Sequence, residues 1–170
     1  TDGHSEDAVN ADGVDITADS LSITAASLGT ASDAIETNVD TLSLTVTTGA
    51  YLTESNALTL SSTTVGGALN LSTGGALTVT SANTGNTTLT TGGVTSIASL
   101  TASGSVDLVA GGNTTVTSMS ATDHMTLGIT GSATLGSLSA GTSMALDVTG
   151  AITDGHSEDA VNADGVDITA

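Results

Sequence analysis

The chain has 170 residues, eighteen acidic groups, no Lys or Arg, and a formal net charge of −18. That balance excludes electrostatic binding to nucleic acid or to an anionic membrane surface, and with Tyr51 as the sole aromatic and no Phe, Trp, Pro or Cys it excludes an aromatic core. A hydrophobic content of 38%, mostly Leu and β-branched residues, exceeds what a solvated linker carries and predicts a folded chain.

Residues Thr1 to Ala18 read TDGHSEDAVNADGVDITA, and Thr153 to Ala170 repeat the same letters 152 positions later. Self-similarity at a fixed period marks a solenoid or an array. The expected organisation is one unit over residues 1–152, with 153–170 opening the next identical unit. No apolar run approaches the roughly 20 residues of a membrane helix, and the lack of an initiator Met or signal peptide fits an internal piece of an array.

A shorter period follows within the unit. Leu52, Leu71, Leu89, Leu108, Leu127 and Leu146 recur at steps of 18 or 19 in alternating frames such as TTLTT and VDLVA. A second column, Leu60, Val79, Ile97, Val116 and Leu135, lies eight positions further on, and a third holds Leu100, Met119 and Leu138. Extended around the repeat, the first column takes in Ile16 and Ile35, with Ile168 as the Ile16 of the next unit, so that eight coils make one unit. Between the first two columns come Gly74-Gly75, Gly92-Gly93, Gly111-Gly112, Thr130-Gly131 and Thr149-Gly150. Glycine there predicts tight corners with positive φ.

Short alternating strands with glycine corners every 19 or so residues predict an all-β parallel solenoid, each strand pairing with its counterpart one coil above and below. Alternation places Leu, Val and Ile inside and Thr, Ser, Asn and Asp outside. The absence of Pro agrees, because stacked central strands need every N–H for the ladder. A sandwich or propeller would show less regular turn signals or Trp-Asp blade marks.

Asp12 to Leu60, DGVDITADSLSITAASLGTASDAIETNVDTLSLTVTTGAYLTESNALTL, resembles the repeats of filamentous-haemagglutinin-type exoproteins, the large adhesins exported by bacterial two-partner secretion. The following ALNLSTGGALTVTSANTG resembles their short-coil repeats. The resemblance implies a right-handed β-helix, an extracellular or cell-surface location, and service as a fibre or adhesin stalk. The chain departs from that family in lacking Lys and Arg and in repeating eighteen residues unchanged, which points to a uniform filament.

Candidate chemistry is sparse. β-Helical enzymes that cleave acidic polysaccharides rely on Arg and Lys, which are absent, and His4, His156 and His124 are flanked by small polar residues that read as solvent-facing loops. No catalytic residue is expected. The one site-like cluster is acidic: Asp2, Glu6, Asp7, Asp12, Asp15 and Asp19, with copies Asp154, Glu158, Asp159, Asp164 and Asp167. Hard divalent cations want several such oxygens, so calcium is the one cofactor this segment could hold, although the EF-hand-like Asn10-Ala11-Asp12-Gly13 has Ala8 at its first ligand position. A solvated acidic loop is the bland alternative. The Thr-x-Thr triplets around Val79, Val116 and Leu89 hint at ice binding but are interrupted at Ala98 and Gly136, and the sequons at Asn70, Asn86 and Asn113 match what Thr-rich sequence produces by chance.

The reading is a structural extracellular filament of tandem β-solenoid units whose chief partner is itself, end to end and laterally. A calcium- or glycan-binding adhesin module using the acidic coil is the alternative, and an ice-binding solenoid the third.

Overall fold

A computed structural model describes residues 13–155 together with the backbone of Ile168–Thr169. The described residues form seventeen strands and no helix, and every pairing between strands is parallel. The alternating apolar frames explain why. Strands within the stack bury about every second side chain, as Ala50–Glu54 and Leu69–Thr73 do, and their backbone groups are satisfied by the coil above and the coil below.

The ladders define a parallel β-solenoid. Leu52 pairs with Leu71, Leu71 with Leu89, Leu89 with Leu108, Leu108 with Leu127 and Leu127 with Leu146. The second column is in register from Leu60 through Val79, Ile97 and Val116 to Leu135, and Leu100, Met119 and Leu138 stack as the third. One file runs Ile16, Thr37, Glu54, Thr73, Thr91, Ala110, Ile129 and Val148: eight rungs and seven turns of about 19 residues. Closing an eighth turn to Ile168 would involve residues 156–167, which lie outside the described residues.

Three short faces make one turn. Strands such as Val106–Ala110 form one face; in some turns the other two are continuous, as in Thr114–Ala121, and in others they are separate, as in Thr95–Ile97 and Leu100–Ala102. The inward side chains form one core, with Leu42, Leu60, Met125, Leu127 and Leu138 fully covered. At the two ends of the stack Ile16, Leu21, Ile23, Met144, Leu146 and Val148 pack on that core but are only half-buried.

Four expectations need correction. Ile16 does not precede Ile35 in the first column: it pairs with Thr37, a step of 21. The first turn is longer because the chain between Leu28, which still pairs with Ala50 on the next turn, and Ile35 leaves the coil, turning at Gly29 (φ 62°) and closing with mutual backbone hydrogen bonds between Thr30 and Asp33. Likewise Ile168 pairs with Leu138, on the file of Ile23 and Leu44, not on the file that Ile16 occupies. Ile16 lies in a ten-residue strand registered by nine residue pairs, whereas Ile168 lies in a two-residue strand registered by two.

The threonines are not all outside. Thr37, Thr63, Thr73, Thr84, Thr87, Thr91, Thr95 and Thr114 are buried, and every one of these hydroxyls except that of Thr63 has a hydrogen-bond partner nearby. Thr91 Oγ1 lies 2.7 Å from Thr95 Oγ1 across a corner, and Thr73 Oγ1 donates to the Gly75 carbonyl at 3.2 Å.

Nor do the corner glycines take positive φ; among the described residues only Gly13 and Gly29 do. The corners need glycine for close stacking instead. A Cβ on Gly92 would sit 2.3 Å from the carbonyl oxygen of Gly74 one turn below.

Candidate functional site

The acidic segment is only partly visible. Asp2, Glu6, Asp7, Asp12, Glu158, Asp159, Asp164 and Asp167, like His4 and His156, lie outside the described residues. Asp15 is used structurally: its N–H donates to the Glu36 carbonyl and its Oδ2 accepts the Glu36 N–H, both at 2.9 Å. Asp154 is exposed on a short strand paired with Ala133–Leu135, and Asp19 is exposed. Among the described residues no three His, Asp or Glu side chains converge as a metal-holding group.

The structure places another carboxylate inside the lumen, which composition did not suggest. Glu54 is 1% exposed. Its Oε2 accepts the Thr37 hydroxyl at 2.7 Å and the Val39 N–H at 3.1 Å, and its Oε1 accepts the Asn56 N–H at 3.3 Å. The position has a local cause. Ile35–Thr37 pair 17 residues on, whereas Thr41 pairs 18 residues on with Thr59, so the ladder lapses between them and Glu54 takes backbone donors that the lapse leaves over.

On the outer surface one group brings together three chemically active side chains. Ser105 and Asp107 flank Val106 and point outward, and His124 stands one turn above Ser105 on His124–Ile129. Ser105 Oγ is 2.9 Å from His124 Nδ1, and His124 Nε2 is 3.8 Å from Asp107 Oδ1. The histidine is thus a strand residue and not a loop residue as expected. The missed signal was the coil period itself, since 124 is 105 plus one 19-residue turn.

Ser, His and Asp in contact invite comparison with a nucleophilic triad, which also needs donors aimed at a developing oxyanion. Here the Ser105 N–H is taken by Asn86 Oδ1 at 3.0 Å, and the N–H groups of the stacked strands are spent on ladder bonds. The histidine and aspartate side chains are about half exposed, at 49% and 47%. The arrangement orients an imidazole in water without building an acyl-transfer pocket.

Two hollows mark the same face. Tyr51, Gly29, Thr30, Thr48 and Gly49 line an open depression of about 440 Å³ beside the loop that lengthens the first turn. Val109, Gly128, Asp107 and Asp147 line another of about 310 Å³, opened by the missing side chain of Gly128. On the neighbouring face Thr59, Thr78, Ser96, Thr115, Thr134 and Thr153 form an outward hydroxyl file in register. The file two positions along is broken by Ala98 and Gly136, so the two-wide lattice expected of an ice-binding surface is incomplete.

Of the sequons, Asn86 and Asn113 spend Oδ1 on the backbone N–H groups of Ser105 and Ser132, so both have structural work. Comparison of the chain with known protein families, curated proteins and solved structures gives no match in any of the three.

Proposed function

We propose that this chain is one unit, and the start of the next, of an extracellular structural filament made of tandem 152-residue β-solenoid units, serving as a surface fibre or adhesin stalk. The observation that carries the proposal is the pair of repeats: eighteen identical residues at a distance of 152, and within that distance ladders that pass without interruption from Leu52 to Leu146. Solenoid stability accrues from each coil and each coil-to-coil interface, and an open end leaves strand edges unpaired. A following unit closes such an edge and extends the rod at no change in cross-section.

The resemblance to filamentous-haemagglutinin-type repeats supports the same reading, including the right-handed sense and the cell-surface location. The role is non-enzymatic, a reading supported by the Ser105-His124-Asp107 group, which lies on an open sheet whose backbone donors are already engaged. The test is a series of chains of one, two and three units, measured by electron microscopy. Rods of constant width whose length grows by a fixed increment per unit support the proposal; compact or beaded particles contradict it.

The runner-up is calcium held by the acidic segment, with Asp15, Asp19 and Asp154 as its described members. Calcium raising the melting temperature of the single unit, with chelator reversing it, would favour that reading.

A further inference from the structure

We propose that His124 and Asp107 form a two-ligand surface site for a borderline divalent cation, Zn²⁺ or Cu²⁺, with Ser105 as the residue that orients the imidazole. Three observations meet there. His124 Nε2 and Asp107 Oδ1 face each other at 3.8 Å. Ligand atoms about 2 Å from a tetrahedral ion lie about 3.3 Å apart, so a small side-chain rotation closes the gap.

Ser105 Oγ, 2.9 Å from Nδ1, engages the other ring nitrogen. When Nδ1–H donates to that oxygen, the lone pair is left on Nε2, directed at the carboxylate; two electron-rich atoms face to face are an arrangement that a cation between them stabilises. The imidazole also distinguishes this site from an all-carboxylate one, because it selects Zn²⁺ or Cu²⁺ over Ca²⁺.

The scaffold favours prior organisation. Ser105 borders Val106–Ala110, which carries Asp107 and pairs residue for residue with Met125–Ile129, the strand His124 opens. With no Lys or Arg anywhere in the chain, no side-chain ammonium or guanidinium competes for Asp107, and the net charge of −18 raises the local cation concentration. Both ligands are about half exposed, so a hydrated ion reaches them without opening the fold.

The test uses the full chain with His4→Gln and His156→Gln, which leaves His124 as the sole imidazole, labelled with ¹⁵N and titrated with Zn²⁺. The expected result is a saturable shift of the Nε2 resonance larger than that of Nδ1, about tenfold or more weakening in Asp107→Asn, and similar weakening in Ser105→Ala, the range seen when groups supporting a metal ligand are removed. All three side chains face outward, and circular dichroism checks that the variants retain the parent's fold. A Nε2 resonance unmoved by Zn²⁺, Zn²⁺ bound equally well by Asp107→Asn, or an equal shift produced by Ca²⁺ would overturn the proposal.

Discussion

The carboxylate of Glu54 accepts the hydroxyl of Thr37 at 2.7 Å inside the solenoid, one turn apart on the same inward file. A buried carboxylate is tolerated there because it replaces ladder acceptors that a change of register removes, and it closes off the Val39 and Asn56 N–H groups as well. Glu54→Ala should therefore destabilise the chain by about 2–4 kcal/mol, because it strands buried donors in addition to deleting a side chain. Glu54→Gln, which keeps an acceptor oxygen, should lose less. Denaturant titration of both variants checks the order, and equal losses would show that burial of the side chain alone matters.

Thr63 is the opposite case. Its Oγ1 is buried without a hydrogen-bond partner, stacked between Leu44 and Ala82. Thr63→Val keeps the shape and removes the unpaired hydroxyl, so it should raise stability by about 1 kcal/mol. Leu108→Asp puts a carboxylate at a fully buried position among Leu89 and Leu127, with no donor to receive it, and should cost several kcal/mol. Melting curves of the two variants should move in opposite directions. A Leu108→Asp chain that melts like wild type would mean this column is not inside.

These contrasts show which parts of the fold were legible in the sequence. The Leu52 to Leu146 column could be read because Leu has one use in a narrow lumen, and its spacing repeats at the pitch of the coil. Thr could not be assigned by alternation, since its methyl and hydroxyl suit either side of a strand; Thr87, Thr95 and Thr114 occupy inward places that Leu69, Leu77 and Ala133 fill in other turns. The shift of Ile16 onto Thr37 was hidden because the excursion between Leu28 and Ile35 carries no Pro and only one Gly. The contact of Ser105 with His124 follows from the 19-residue spacing, but the small polar residues beside His124 in the chain carry no trace of its neighbour one coil away.

Glycine substitutions should separate close stacking from mere flexibility. At Gly92 a Cβ would meet the Gly74 carbonyl oxygen at 2.3 Å, whereas at Gly128 the nearest atom is the Leu108 carbonyl oxygen at 3.8 Å. Gly92→Ala should lower stability by about 1–3 kcal/mol through forced backbone movement. Gly128→Ala should be neutral or slightly stabilising, because it removes backbone freedom from the unfolded chain. Thermal denaturation of the pair provides the comparison; equal sensitivity would refute the stacking argument.

We propose that charge governs lateral association of the rods. Five of the eighteen acidic groups fall in the second copy of the duplicated segment, which leaves thirteen in one 152-residue unit, ten of them before residue 55 and none balanced by Lys or Arg. Rods bearing such bands repel at low salt and are screened beyond about 10 Å at 0.1 M. Calcium, high salt, or acid near the ordinary carboxylate range should each bundle the rods, and chelator in low salt should disperse them. Light scattering indifferent to all of these would remove the acidic band from any role in association.

The central claim, that coils stack continuously through tandem units, is tested most directly by X-ray diffraction from aligned fibres of a multi-unit chain. Eight coils at about 4.8 Å each give a meridional spacing near 4.8 Å and an axial repeat of roughly 38 Å. That pair of spacings requires Ile168 to leave Leu138 and to join the file of Ile16 and Val148 once a complete unit follows. A strand spacing perpendicular to the fibre axis, or an axial repeat well away from this value such as about 60 Å, would contradict continuous stacking of eight coils per unit.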